Sequence, residues 1–187
     1  MKSIDTKNWK KFLMSDLFVK LDLRCLKNDW KKAFDISKEK TPEFNLPLVN
    51  AKNNNNGIMY YGREKDFETA EMTLDVVMDG AASTGNVYAQ PQKTGVLYNA
   101  YLIKPKVEIT KYVLLFLSLV IQKQIKVKYG YDNKAGWDNK IEKEKILLPA
   151  KAINNVYIPD WEYMDSFMKR IMNDAQSKLD ILLMVCK

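Results

Sequence analysis

Asp75-Val-Val-Met-Asp-Gly-Ala-Ala-Ser-Thr-Gly-Asn-Val-Tyr-Ala89, followed by Gly95-Val-Leu-Tyr-Asn-Ala-Tyr-Leu-Ile-Lys-Pro-Lys106, decides the fold. An apolar run reaches a glycine turn, passes small residues to a second glycine, resumes as a strand, and the cycle repeats. Short runs of β-branched and aromatic residues bounded by Gly, Asn and Pro are strand signals, so the stretch reads as a β-rich loop scaffold with no catalytic dyad. Nor is it a phosphate-binding loop, because no Lys follows the last glycine of Asp79-Gly-Ala-Ala-Ser-Thr-Gly85 and no helical pattern comes after it.

Working outward, Leu46-Pro-Leu-Val-Asn50 and Ile58 to Tyr61 are strand candidates on either side of Asn53-Asn-Asn-Asn-Gly57. Asn and Gly both tolerate positive φ, which makes that interval a turn. Further strands are predicted around Thr73 to Met78, Asn86 to Ala89 and Val96 to Ile103. Lys10 to Phe18 forms the short helix or strand that starts the domain. Lys27 to Lys40 interleaves Trp30, Phe34 and Ile36 with charge, and its type stays open. A helix is expected from about Thr110 to Lys126, with Thr110 as N-cap and lysines in the last turn. Its most apolar run, Val113 to Ile121, is far short of the roughly 20 residues a membrane span needs, and Met1 to Lys11 is too polar for a secretory signal. The chain therefore reads as cytoplasmic, with no membrane partner. Lys140 to Leu148 leads into a strand that Pro149 ends.

From Pro159 onward neither Gly nor Pro recurs, which predicts one long helix. Trp161, Met164, Met168, Ile171, Ala175, Leu182 and Val185 follow alternating three- and four-residue steps, the spacing of a coiled-coil seam, with Lys178 interrupting it. Such a helix would reach about 40 Å, too long for so small a domain to cover. Met164, Met168, Ile171, Ala175 and Leu182 are therefore the expected dimerisation residues. A terminal helix folded back on its own core is the alternative.

The 187 residues suit one domain and one appended element, here 1–155 and 156–187, in an α/β (α+β) class with a compact mixed sheet. Lysine and arginine number 30 against 23 acidic residues, a net charge of +7 that favours an anionic partner. Histidine is absent, which removes the usual general base and the commonest transition-metal ligand. Cys25 and Cys186 have no Cys-x-x-Cys spacing, so they read as two reduced thiols. Asp66, Glu68, Glu71 and Asp75 form an acidic stretch able in principle to bind Mg²⁺, and Glu142-Lys-Glu144-Lys is the nearest approach to a nuclease element. Alternating Glu and Lys is equally the pattern of a solvated face. No catalytic residue, metal site or cofactor is assigned; a small metal-dependent nuclease is the alternative class.

Nucleic-acid readout has more support, because base edges are read by Arg, Lys, Asn, Gln, Ser and Thr while cations meet phosphates. Three loop-like stretches interleave such residues with aromatics. Tyr60-Tyr-Gly-Arg63 offers a guanidinium at a turn, Gln90-Pro-Gln-Lys93-Thr94 a hairpin tip, and Lys126 to Trp137 three lysines with Tyr131 and Asn133. Arg63, Lys93, Thr94, Lys128, Tyr131, Asn133 and Lys134 are the expected DNA-binding residues. The structural alternatives are half-packed strand positions for Tyr60 and Tyr61, a solubilising tip for Lys93, and a core place for Trp137.

The Asp79-Gly-Ala-x-x-x-Gly85 turn, the strand ending in Leu102-Ile-Lys-Pro105, Trp9-Lys-Lys-Phe-Leu-Met-Ser-Asp-Leu-Phe18, and Ile146-Leu-Leu-Pro149 followed by Pro159-Asp-Trp-Glu-Tyr-Met164 occur in one order. In this they resemble the target-recognition domain of type I restriction-modification specificity subunits. The resemblance implies double-stranded DNA as ligand, a methyltransferase subunit as partner, and a translocase-nuclease subunit that joins for restriction. Methyl transfer and cleavage would belong to those partners, since no Asn-Pro-Pro-Tyr-type motif occurs here. Such subunits carry two recognition domains joined by long helices, whereas this sequence shows one of each. A homodimer on an interrupted palindrome is the simplest arrangement; pairing with a different half, or a remnant serving as an interaction module, are the others.

Overall fold

The computed structural model describes residues 5–185, so Cys186 lies outside the described residues. The chain enters through β1 (Lys10–Leu13), one helical turn α1 (Met14–Leu17) and β2 (Phe18–Lys20). The charged stretch whose type the sequence leaves open becomes a second helical turn, α2 (Lys32–Asp35), and a two-residue strand, β3 (Ile36–Ser37). Next come β4 (Leu46–Val49), β5 (Ile58–Gly62), β6 (Thr73–Val77) and β7 (Val87–Gln90). The strand expected over Val96 to Ile103 is divided: β8 (Gly95–Val96) and β9 (Ala100–Pro105) belong to different sheets.

Two four-stranded sheets build the domain. The first has the order β2-β9-β6-β7 and is antiparallel throughout; the second has the order β3-β5-β4-β8, with β4 and β8 parallel. Gln90 to Thr94 is thus a crossover between sheets, and the hairpin tip expected there does not form. A helix, α3 (Lys111–Ile125), covers the first sheet, and the Thr110 hydroxyl accepts from the Val113 N–H at 3.4 Å as its cap. The strands β10 (Lys145–Leu148), paired with β1, and β11 (Ala150–Ile153), paired with β12 (Val156–Pro159), complete the domain. Sequence reading missed the last hairpin. Its turn is Asn154-Asn155, both at positive φ, so residue 155 lies inside a hairpin rather than between two units.

Leu74 and Val76 of β6 point into the larger core, with Leu114, Leu117 and Ile121 of α3, Ile146 and Leu148 of β10, and Met14 and Phe18. A smaller core beneath the second sheet holds Ile36, Leu46, Leu48, Phe67 and Leu97. The Asp79 to Gly85 turn is closed by its own side chains: the Ser83 hydroxyl donates to the Gly80 carbonyl at 2.8 Å, and Gly80 N–H donates to the Thr84 hydroxyl at 3.0 Å. Gly85 has φ +77, and a Cβ there would stand 3.1 Å from Lys126 Cα, so the end of α3 can close on this turn only over glycine.

The C-terminal helix α4 (Trp161–Val185) begins at Asp160, whose carboxylate accepts from Tyr163 N–H at 3.1 Å. Its first turns pack on α3. Met164 and Met168 are buried in the larger core, and Phe167 meets Phe116 edge to face at 5.9 Å. From Lys169 to Val185 every residue is exposed, a length of about 25 Å. Met164 and Met168, expected in a dimer seam, thus pack within their own domain, and only Ile171, Ala175 and Leu182 of that set remain exposed.

Asp75, in the middle of β6, is fully buried, and neither carboxylate oxygen has a hydrogen-bond partner among the described residues. Burial pushes its carboxyl well above the ordinary value of 3.8. The unfolded chain gives up this proton near the ordinary value while the folded chain keeps it, so stability falls as pH rises above about 3.8 and stops falling beyond the raised value. Asp75→Asn is expected to remove that fall: urea midpoints of variant and wild type should diverge from pH 4 to 7, the variant becoming the more stable. Met164→Ala is expected to lower unfolding free energy by about 2–5 kcal/mol, read from the same urea titrations.

Candidate nucleic-acid interface

The expected DNA-binding residues fall into two groups. Arg63, Lys93 and Thr94 lie at the second sheet; Lys128, Tyr131, Asn133 and Lys134 lie in the loop that leaves α3.

Arg63 follows β5, and its guanidinium is fully engaged. It donates to Glu43 (2.7 Å), Asp35 (3.1 Å), Asp66 (3.3 Å) and the Phe34 carbonyl (3.2 Å), and it lies 4.4 Å over the Phe44 ring. Asp35 is itself buried and also accepts from Lys27 Nζ and Lys31 N–H, both at 2.7 Å. The Lys27 ammonium, then the Lys31 N–H and Arg63, hold its carboxyl down to about 2. Reading guanine requires the guanidinium's paired donors, and here the fold uses them to tie α2 to the turn after β5.

Lys93 reaches the Glu64 carboxylate at 2.5 Å, which raises its pKa. Thr94 is fully buried. Its hydroxyl donates to the Gln92 carbonyl at 3.0 Å, and its backbone bridges Ala70 in both directions. Its side chain presents no surface to a ligand.

In the other group Lys128 pairs with Glu144, which also accepts from the Tyr129 hydroxyl at 3.0 Å. Desolvation, then the Glu144 bond and charge, push Tyr129 up to about 12. Lys134 pairs with Asp79 of the Asp-Gly-Ala turn at 2.6 Å, which raises its pKa, and Ala135 N–H donates to the Met78 carbonyl at 3.0 Å. Asn133 donates to the Lys128 carbonyl at 3.0 Å and accepts from Lys140 at 2.9 Å. Tyr131 projects outward, 75% exposed. Trp137 is buried, edge to face with Tyr101 at 6.4 Å, so it takes the core place. The loop thus brings Lys128, Tyr131, Asn133 and Lys134 onto one exposed segment.

The acidic stretch is dispersed: Asp66 serves Arg63, Glu68 accepts from the Arg24 N–H at 3.1 Å, and Asp75 is buried in the first sheet. Among the described residues no three His, Cys, Asp or Glu side chains are grouped to share a metal ion. No described helix is long and apolar enough to cross a membrane.

Sequence reading missed a cleft of about 310 Å³ between the segment after β2 and the β8–β9 connection, lined by Lys20, Asp22, Arg24, Trp30 and Tyr98 among others. Trp30 within a charged segment was its only sequence signal. The residues it joins are far apart in the chain, and no local pattern reports that.

Solved structures share this architecture at low identity. The S subunit of a type I restriction-modification system from M. genitalium matches with TM-score 0.59 and 16% identity, over 99% of this chain and 44% of that one. The HsdS subunit from Thermoanaerobacter tengcongensis matches with TM-score 0.51 and 9% identity, over 94% of this chain and 40% of that one. A chain from a structure describing complex assembly and conformational transition of the type I R-M system matches with TM-score 0.56 and 10% identity, over 94% and 41%. The chain thus spans about two fifths of the length of these proteins, and at such identities they show the fold alone. No curated protein matches the sequence significantly. The family model for the type I restriction modification DNA specificity domain matches residues 6–180, domain and helix together, and the chain belongs to that family.

Proposed function

We propose that this chain is a sequence-specific DNA-recognition element of a type I restriction-modification complex. It directs adenine methylation by a methyltransferase subunit, and cleavage when a translocase-nuclease subunit joins, and it carries out no catalytic step and takes no cofactor. The observation that carries this reading is the family match over residues 6–180, which includes both the domain and most of α4. The domain presents DNA-facing loops, and the helix sets the distance to a second recognition domain.

That second domain is proposed to be another copy. Beyond Met168, α4 exposes Ile171, Leu179 and Leu182 along one side with nothing of its own domain against them. Apolar residues at three- and four-residue steps are buried when two such helices pair. A two-fold axis then presents identical domains, and the site read is an interrupted palindrome. Pairing with a different specificity half uses the same helix face and predicts an asymmetric site. A metal-dependent nuclease is less favoured, because Asp66 and Glu68 face cations and Asp75 is buried apart from them.

Co-expression with the methyltransferase subunit of the same operon, followed by genome-wide mapping of modified adenines, is expected to give a two-part palindromic motif. An asymmetric motif would replace the homodimer with a mixed pair. An assembled complex giving no motif above background would overturn the recognition reading. Ile171→Glu combined with Leu182→Glu, both exposed positions, should leave the circular dichroism spectrum unchanged, yield a monomer in sedimentation velocity and abolish the motif.

A further inference from the structure

Ion-pair length separates two classes of cation on this surface. Arg63, Lys93 and Lys134 are held by carboxylates at 2.5–3.3 Å, and Lys128 is held as closely by Glu144. Lys20 and Arg24 stand 3.8 Å from Asp138 and Glu68, the longest pairs among the described residues. Asp138 is 78% exposed and Arg24 80%, so neither pair is fixed by packing. Pairs of that kind contribute little and yield readily to another anion.

Both loosely held cations line the 310 Å³ cleft, and aromatic rings stand beside them. Tyr98 is 61% exposed on the β8–β9 connection. Trp30 of the cleft packs on the smaller core, as does Tyr60, over whose ring Lys32 lies at 4.8 Å. A second depression, of about 520 Å³, shares Lys20 and Asp22 with the first and adds Lys106. The two adjoin at Lys20 and Asp22, beside the edge strand β2, and form an open trough that carries Lys20, Arg24 and Lys106 against Asp22 and Asp138, with one exposed ring, Tyr98. Such an open surface fits an extended polyanion better than a compact metabolite, which is normally enclosed on most sides.

We propose that this trough, through Lys20, Arg24 and Tyr98, is the surface on which DNA lies. The cations meet phosphates, and the Tyr98 ring lies against a sugar or base. Asp22, the carboxylate both depressions share, is placed to accept from a cytosine amine. This rests on the proposed recognition function and gives it a face other than the loop bearing Lys128 and Lys134.

The test is fluorescence anisotropy of a labelled random-sequence duplex across a KCl series, with the methyltransferase subunit present. Lys20→Ala and Arg24→Ala combined should reduce the log–log salt slope by about 2, nearly one unit for each phosphate left without its cation. Tyr98→Ser should weaken binding about fourfold, the loss of roughly one methylene's worth of apolar contact between the ring and a sugar. A control of equal charge change on other elements, Lys123→Ala with Lys145→Ala, should alter the slope far less. All these side chains are on the surface, and unchanged melting curves will show that folding is intact. If the trough variants match the control while the wild type binds, the trough assignment is overturned and the recognition reading stands. If the wild-type complex binds no DNA, both fall together.

Discussion

Strand β6 has no exposed residue, and its need for cover on both faces organises the domain. Leu74 and Val76 face α3, so the first sheet cannot stand without that helix. Asp75 faces the other way, toward Gly57, where a Cβ would come within 2.2 Å of its carboxylate. Gly57 also has φ +76, so both backbone conformation and close approach reserve the position for glycine. The Asn-rich turn is thereby pressed against the buried carboxyl. Asn56 donates to the Ala89 carbonyl at 2.8 Å, and Gln90 donates to the Asn56 carbonyl at 2.7 Å, which fixes the turn to β7. The junction between the two sheets therefore contains a polar layer in which the Asp75 carboxyl stands uncompensated.

Much of this was legible in the sequence, and the failures have physical causes. Strands β4 to β7 and helix α3 were readable because their punctuation is chemical: Asn and Gly at positive φ, Thr110 as a cap, and glycine where α3 closes on the Asp-Gly-Ala turn. The split of Val96 to Ile103 was not, because a change of sheet at Leu97 to Asn99 leaves no break in the strand signal. The hairpin β11–β12 was missed for a different reason: Asn154-Asn155 is a proper turn signal, but its flanks alternate weakly and much of the ribbon is solvated. Cation positions were legible and their partners were not. Glu43 lies 20 residues before Arg63, and Asp35 lies 28 before it.

The seam on α4 shows how one periodicity serves two surfaces. Met164 and Met168 obey the same three- and four-residue spacing as Ile171 and Leu182, yet the first pair completes the domain core and the second stands clear of it. Burial against the domain ends after Met168, and sequence period carries no information about that limit. Thr110 donates to Asp165, so the cap of α3 is tied to α4 within the anchored half. The anchored half is thus joined to the domain both by side-chain packing and by a hydrogen bond.

Arg63 and Lys20 illustrate why charge alone is a poor guide to a DNA surface. Exchanging carboxylate for phosphate is easy when the abandoned carboxylate returns to water, as Asp138 would if Lys20 turned away. It is difficult at Arg63, because Asp35 is buried and would lose one of the donors that keep it ionised. The same guanidinium that looks best suited to a base edge is thus the one the fold can least release. A cation's availability follows from the burial of its partner, and by that criterion Lys20, whose partner Asp138 is 78% exposed, is released far more readily than Arg63, whose partner Asp35 is buried.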